Sequence, residues 1–359
     1  KHSYQIATDI QSANYIVVNT CGFLEESRNE ALDVLKEVFQ FKNKLAKVIV
    51  TGCMVNLFKT LLKDNFNDIY YFLGSGDLEK IVEVINLDQK GEIISKNRSF
   101  LGNNLCFTPK ILTTSPNFSY LKIAEGCKKG CSFCLIPKIK GPLKSKDINH
   151  VLKEFDQLLS QGVFEIILIA QDLGDFGKDK KLENGLNKLL IEMLKRKGKF
   201  WIRLLYLYPD EITDELIDII KSDKRICPYV DMPIQHINDE ILKSMNRNIT
   251  KKQIISIIEK LRKKIPDISI RTSLMVGYPG ETNEQFDELV NFVRECKFEN
   301  VGIFKYSKEK LTKSFNLQNQ ISEELKNQRH EDLAKVQYEI VEEKNKSHIG
   351  KKFDVIIGM

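Results

Sequence analysis

At 359 residues the chain exceeds what one small core needs, so its length predicts about two or three domains. With 42% hydrophobic and 29% charged residues it can bury sizeable cores, and no run approaches the roughly twenty apolar residues that a membrane helix requires. The net charge of +6 is spread along the chain, which solvated faces explain as readily as an anionic partner.

The chain opens Lys1-His2-Ser3-Tyr4, with neither a starting methionine nor a signal-peptide pattern, so a truncated start is expected. An apolar run at 15–18 leads into Asn19-Thr20-Cys21-Gly22, and Ala31, Leu32, Val34, Leu35 and Val38 then recur at helical spacing. The figure repeats at 48–50 before Thr51-Gly52-Cys53, and a third run at 69–73 ends at Gly74-Ser75-Gly76. Cys21 and Cys53 are thus expected just beyond the C-terminal ends of buried strands, where open α/β sheets place their ligands. Residues 92–118 are polar and turn-rich in part, and read as a linker.

Strand and helix patterns then alternate. Strands are predicted at 120–124, 164–170, 200–205, 228–232, 268–276 and 301–306, with helices at 148–160, 184–196, 249–263 and 283–295 among those between them. Single helices between strands imply parallel βαβ units, and six units are too few for a closed eight-fold barrel, so an open partial barrel is expected. Residues 321–349 show a charged helical pattern without a wide apolar stripe, and 353–357 begin a strand that cannot be a domain alone. The predicted organisation is an N-terminal α/β domain (1–92), a linker (93–118), a (β/α)6 core (119–320), and a C-terminal helix with the start of a largely missing β domain (321–359).

The eight cysteines cluster without any secretory signal, which favours metal binding over disulfides. Cys127, Cys131 and Cys134 follow the first barrel strand at C-x3-C-x2-C spacing. That spacing would put three sulfurs on one helix face, but Gly126 and Gly130 interrupt a helix and Pro137 closes it. A structural zinc site takes four ligands, whereas the loop has no fourth cysteine and His150 is distant. Three thiolates suit a four-iron cluster with one open iron position, and Lys128, Lys129, Lys138 and Lys140 would offset its negative charge, solvation being their alternative role. Cys227 and Cys296 read as core residues.

This loop, including Phe133 before the last cysteine, resembles the signature of the radical S-adenosylmethionine (SAM) superfamily. The resemblance implies an open iron that chelates the amino and carboxylate groups of SAM, and a 5′-deoxyadenosyl radical made by breaking a carbon–sulfur bond. Further segments are similar to the RimO family of methylthiotransferases: Val18-Asn19-Thr20-Cys21-Gly22-Phe23, Thr51-Gly52-Cys53, Leu135-Ile136-Pro137-Lys138, Ala170-Gln171-Asp172, Arg203-Leu204-Leu205-Tyr206-Leu207-Tyr208-Pro209, Asp231-Met232-Pro233-Ile234-Gln235-His236 and Arg271 to Thr282.

That resemblance implies transfer of a methylthio group to the β-carbon of an aspartate in protein twelve of the small ribosomal subunit, in the cytoplasm. It also implies an electron donor such as flavodoxin or ferredoxin, a C-terminal TRAM domain beginning near Gly350, and a second, auxiliary 4Fe-4S cluster on three cysteines. Cys21 and Cys53 match two of those ligands; the third belongs to an upstream Leu-Gly-Cys-x-Lys-Asn segment that the chain lacks, and Cys106 is the nearby substitute. His236, Arg271-Thr272 and Cys21-Gly22-Phe23 take the RimO form rather than that of the MiaB-like tRNA adenosine methylthiotransferases, which stay as the alternative. A ribosome- or RNA-binding module with a structural cluster is the reading from a different class.

No catalytic side chain is expected beyond the cluster ligands. Gln171 and Asp172 could meet the SAM amino group or ribose, and Gly277 and Gly280 could let the backbone approach SAM. Arg203 and Arg271 lie inside strands, where a salt bridge or a bound carboxylate would each offset their burial.

Overall fold

Two apolar runs near the N-terminus, each closed by small residues and a cysteine, become neighbouring strands. In the computed structural model, which describes residues 4–96 and 117–357, β1 (Tyr15–Thr20) pairs in parallel with β2 (Lys47–Gly52), and Thr20 stands opposite Gly52. β3 (Tyr71–Gly74) and β4 (Gly91–Ile93) complete a parallel sheet in the order β1-β2-β3-β4. Parallel neighbours need crossover connections, and α1 (Glu25–Phe41), α2 (Cys53–Asn65) and α3 (Ile81–Leu87) supply them. Val48 and Val50 face Ala31, Leu35 and Val38 of α1, while Ile49 faces Tyr71, Leu73 and Val84 on the other side. Both faces are covered, as a parallel sheet requires, and burying a side chain such as Leu35 stabilises the unit by about 1.5–3 kcal/mol.

The later part of the chain holds six parallel strands taken in sequence order. β5 (Phe118–Lys122), β8 (Glu165–Ile169) and β9 (Trp201–Leu204) form one three-stranded piece; β10 (Tyr229–Asp231), β11 (Ser269–Val276) and β12 (Asn300–Lys305) form the other. A parallel bridge between Ile202 and Ile226 joins the pieces, and Leu207 donates its amide to the Asp231 carbonyl at 2.8 Å. Between β5 and β8 come the short strands β6 (Ala124–Glu125) and β7 (Lys144–Ser145) with α4 (Ile136–Lys140) and α5 (Ile148–Ser160). The remaining crossovers are α6 (Gly185–Leu194), α7 (Asp214–Ser222), α8 (Asp239–Ser244) with α9 (Lys251–Lys264), and α10 (Asn283–Cys296). The fold is therefore α/β, an open parallel sheet followed by a partial (β/α)6 barrel.

Two C-terminal expectations need correction. α11 (Glu323–His348) does carry an apolar stripe: Leu333, Val336 and Ile340 are buried in the barrel core. The stripe is narrow and flanked by buried polar groups, Arg329 donating to Glu281 O at 3.1 Å and Gln337 to Phe298 O at 3.2 Å, which hides it in the pattern. Residues 353–357 form no strand, and Phe353, Val355 and Ile357 are exposed; a lone extended segment has no ladder to pair its backbone.

The chain divides into two compact units, one of Lys1–Leu105, Glu125–Lys128 and Cys134–Pro142, the other of Cys106–Ala124, Lys129–Phe133 and Leu143–Met359. The cysteine loop is split by this division. Most of the predicted linker, and Cys106 with it, lies outside the described residues. Among the described residues no helix is long and apolar enough to cross a membrane.

Candidate metal centre

In the first unit, the register that sets Thr20 opposite Gly52 releases Cys21 and Cys53 from adjacent strand ends. The ends are fixed by the buried Thr20 hydroxyl, which donates to Thr51 O at 2.7 Å. Gly52 has φ +103°, and a Cβ there would lie 2.3 Å from Thr20 O, so only glycine lets the chain turn into α2 at this point. A Cβ on Gly22 would lie 3.0 Å from the Cys53 carbonyl; without one, the Gly22 amide donates to the Cys53 sulfur. Burial pushes the Cys53 thiol up, and the Lys140 ammonium opposes that shift. Lys140 itself lies 3.1 Å from the fully buried Glu125 carboxylate.

Cys127 and Cys134 belong to the same unit. The Cys127 amide donates to Gly141 O at 3.4 Å, and the Cys134 sulfur accepts from the Ile136 amide at 3.4 Å. Gly126, at φ +80°, would drive a Cβ to 2.2 Å from Pro142 O.

In the second unit, residues 129–133 are pinned on every side. Ser132 donates its amide to Met245 O at 3.0 Å, and its hydroxyl meets that of Tyr278 at 2.8 Å. Asn246 donates to Gly130 O at 2.9 Å, and Phe133 packs on Ile241, Met245, Met275, Tyr278 and Tyr306. The Cys131 sulfur lies 2.6 Å from the Tyr208 hydroxyl and 3.9 Å from Arg247 Nη1. Lys129 reaches Glu211 at 2.7 Å, Asp172 at 3.3 Å and Asp210 at 3.4 Å. Burial opposes the Lys129 charge, but these carboxylates with Asp175 outweigh it and hold the ammonium above the ordinary lysine range.

Asp172 caps the short helical turn that follows β8, accepting from Gly174 N at 3.0 Å and Tyr208 N at 3.2 Å. Burial pushes its carboxyl up to about 6. The neighbouring Gln171 leaves Oε1 buried without a hydrogen-bond partner among the described residues, which suits a group meant for a ligand. Asp172, Asp175 and Glu211 bring carboxylate oxygens within 4.8 Å of one another, and Lys129 and Lys178 neutralise them. Arg203 pairs with Glu165 and lies 4.8 Å over the Tyr229 ring; Arg271 pairs with Asp231 at 2.6 Å. Each strand arginine therefore has a carboxylate of its own.

Gly277 has φ +71°, and the space beside it is filled by Lys326, whose Cγ would lie 2.4 Å from a Cβ; beside Gly280 the space is open. The amides of Gly277 and Tyr278 donate to Glu281 Oε2 at 2.5 and 3.1 Å. Burial pushes Glu281 up to about 7, against the pull of Arg329 at 3.1 Å. His236 is fully buried, its Nδ1 accepts from Asn238 N at 3.0 Å, and burial lowers it to about 3, so the ring is neutral. Cys227 lies in the core and Cys296 is half-buried against it; burial pushes both up to about 11, as it does for inert thiols.

The donor set fits an iron–sulfur cluster. Cys127, Cys131 and Cys134 are partly exposed thiols, soft ligands of the kind such clusters take, and Cys131 already has hydrogen-bonding partners at its sulfur. Sequence reasoning missed Arg247 and, apart from Asp172, the partners of Lys129. Nothing in their spacing marks them, since they reach the loop from elements about forty to a hundred and twenty positions away.

Comparison with known proteins agrees with this chemistry. The radical SAM superfamily matches residues 121–293, and Uncharacterized protein family UPF0004 matches residues 1–74. A ribosomal protein uS12 methylthiotransferase RimO of Protochlamydia amoebophila (strain UWE25) is 56% identical over 99% of this chain and 75% of that protein. One of the same name from Clostridium kluyveri is 42% identical over 99% of this chain and 81% of that protein. Among solved structures, the radical SAM methyltransferase TsrM from Kitasatospora setae, with tryptophan and a SAM analogue bound, has a TM-score of 0.61 at 16% identity. That match covers 82% of this chain and 62% of TsrM, and it shows a shared fold. By its identity to the RimO proteins over nearly its whole length, the chain belongs to the RimO family of radical SAM methylthiotransferases.

Proposed function

We propose that the chain transfers a methylthio group to the β-carbon of an aspartate in ribosomal protein uS12. The 56% identity to a protein of that name carries this reading. Cys127, Cys131 and Cys134 hold the SAM-binding cluster, and Cys21 and Cys53 supply two ligands of an auxiliary one. A cluster held by Cys127, Cys131 and Cys134 would supply the electron for cleavage of SAM to methionine and a 5′-deoxyadenosyl radical. This chain's residues would position and shield that chemistry. Tyr208 and Arg247 meet the Cys131 sulfur, Phe133 seats the loop on an apolar cluster, and Gln171 offers a buried acceptor near the strand end. The reaction takes place in the cytoplasm, with electrons from a flavodoxin or ferredoxin.

The test is anaerobic reconstitution with iron and sulfide, reduction with dithionite, and analysis of SAM and of added uS12 by mass spectrometry. SAM cleavage and a methylthio group on one uS12 aspartate are expected, with both lost in Cys131→Ala. Normal SAM cleavage by that variant would remove the assignment of the loop. Modification of tRNA but not of uS12 would favour the adenosine-modifying branch.

A further inference from the structure

Tyr208 and Arg247 stand outside the cysteine motif, yet both meet its middle sulfur. The Tyr208 hydroxyl lies 2.6 Å from Cys131 Sγ, and Arg247 Nη1 lies 2.6 Å from that hydroxyl oxygen and 3.9 Å from the sulfur. Guanidinium is a donor only, so the Tyr208 oxygen accepts from Arg247 and its own proton is available to the sulfur. Arg247 is buried and is held by Nη2, which donates to Pro233 O at 2.5 Å. Its guanidinium carbon lies 3.9 Å from the centroid of the Tyr208 ring, and the Lys129 ammonium lies 4.6 Å from it. Two cations beside one phenol ring withdraw electron density from it and make its hydroxyl a stronger hydrogen-bond donor.

A hydrogen bond to a ligating sulfur withdraws negative charge from a cluster and favours the form carrying one more electron. We propose that Tyr208, oriented by Arg247, is a positioning residue that donates to Cys131 and raises the reduction potential of the cluster on this loop. The proposal rests on the assignment of that cluster to Cys127, Cys131 and Cys134.

The experiment is a redox titration of the anaerobically reconstituted full chain, read by electron paramagnetic resonance, with iron counted per chain. Tyr208→Phe keeps the ring and removes the proton; Arg247→Gln removes the charge and the orienting fork. Both are expected to keep the loop's iron and to titrate at a lower potential. At the potential where half of the unaltered clusters are reduced, the reduced fraction should fall several-fold. An unchanged potential in Tyr208→Phe with iron retained overturns the proposal. So does loss of the cluster in both variants while their circular dichroism is unchanged, which would assign the pair to cluster assembly. Cys131→Ala is measured alongside. If it leaves the signal intact, the cluster assignment itself fails; if it removes the signal while Tyr208→Phe shifts nothing, only the present inference fails.

Discussion

The Lys129 ammonium lies 2.7 Å from a Glu211 carboxylate oxygen, and this pair ties the cysteine loop to the turn after β9. Both side chains are largely buried, at 13% and 16% exposure, and Asp172 and Asp175 share the same cation. Removing one partner of a buried pair leaves the others uncompensated, at a cost of about 3–5 kcal/mol. Lys129→Met is therefore expected to lose stability on that scale in urea denaturation of the metal-free protein, and Glu211→Gln to lose less because Lys129 keeps its other carboxylates.

The thiols separate by environment. Cys227 is buried with its pKa pushed up to about 11, whereas Cys131 is partly exposed and hydrogen-bonded. Cys227→Ala should keep the full iron content and cost about 1–2 kcal/mol of stability. Cys131→Ala should lose the iron of the loop, as counted by elemental analysis after anaerobic reconstitution.

Stability against pH should show two buried groups opposing each other. Glu281 is raised from 4.5 to about 7, so the folded state holds a proton that the unfolded state has released, and stability falls as pH rises through that window. His236 is lowered from 6.5 to about 3, so the unfolded state binds the extra proton, and stability falls as pH drops below 6.5. Between about pH 4.5 and 6.5 these two slopes cancel to first order. Asp172, raised to about 6, adds the same background to every variant. Relative to the unaltered protein, Glu281→Gln should therefore lose stability, and His236→Gln gain it, as pH falls from 6.5 to 5. Urea midpoints at three pH values, taken as differences from the unaltered protein, check both signs, and flat differences in both variants would contradict this account.

Gly52→Ala tests the strand end beside Cys53. With φ +103° and only 2.3 Å between its would-be Cβ and Thr20 O, alanine should cost about 1–3 kcal/mol. Iron at the auxiliary site proposed on Cys21 and Cys53 should fall with it, while iron at the loop is retained; separate resonance signals measure the two.

Much of the barrel was readable because its helices carry strong periodicity and caps. The helix predicted at 148–160 is α5, with Asp147 accepting from Asn149 N at its start, and the six strands fall within a residue or two of their predicted places. β4 was not readable: Gly-Glu-Ile has too little apolar content, and it becomes a strand only by pairing with β3. In the candidate site, cysteine spacing pointed to the loop, since ligands near in sequence leave a local pattern. Partners such as Arg247 leave none, because their meeting with Cys131 depends on tertiary placement. Arg203 and Arg271 were ambiguous for the same reason: Glu165 stands 38 positions from its arginine and Asp231 stands 40 from its own.

The pairing of Thr20 with Gly52 also acts as a ruler. A slip of β2 by one residue against β1 would carry Cys53 about 3.3 Å along its neighbour and turn the side chains of β2 to the opposite face. Val48 and Val50 make that slip costly, because it would move them from the α1 side of the sheet to the other. The hydrophobic core thus calibrates the spacing of two sulfurs just beyond the strand ends, and mutations deep in β2 should be felt as misalignment at the cysteines before they are felt as unfolding.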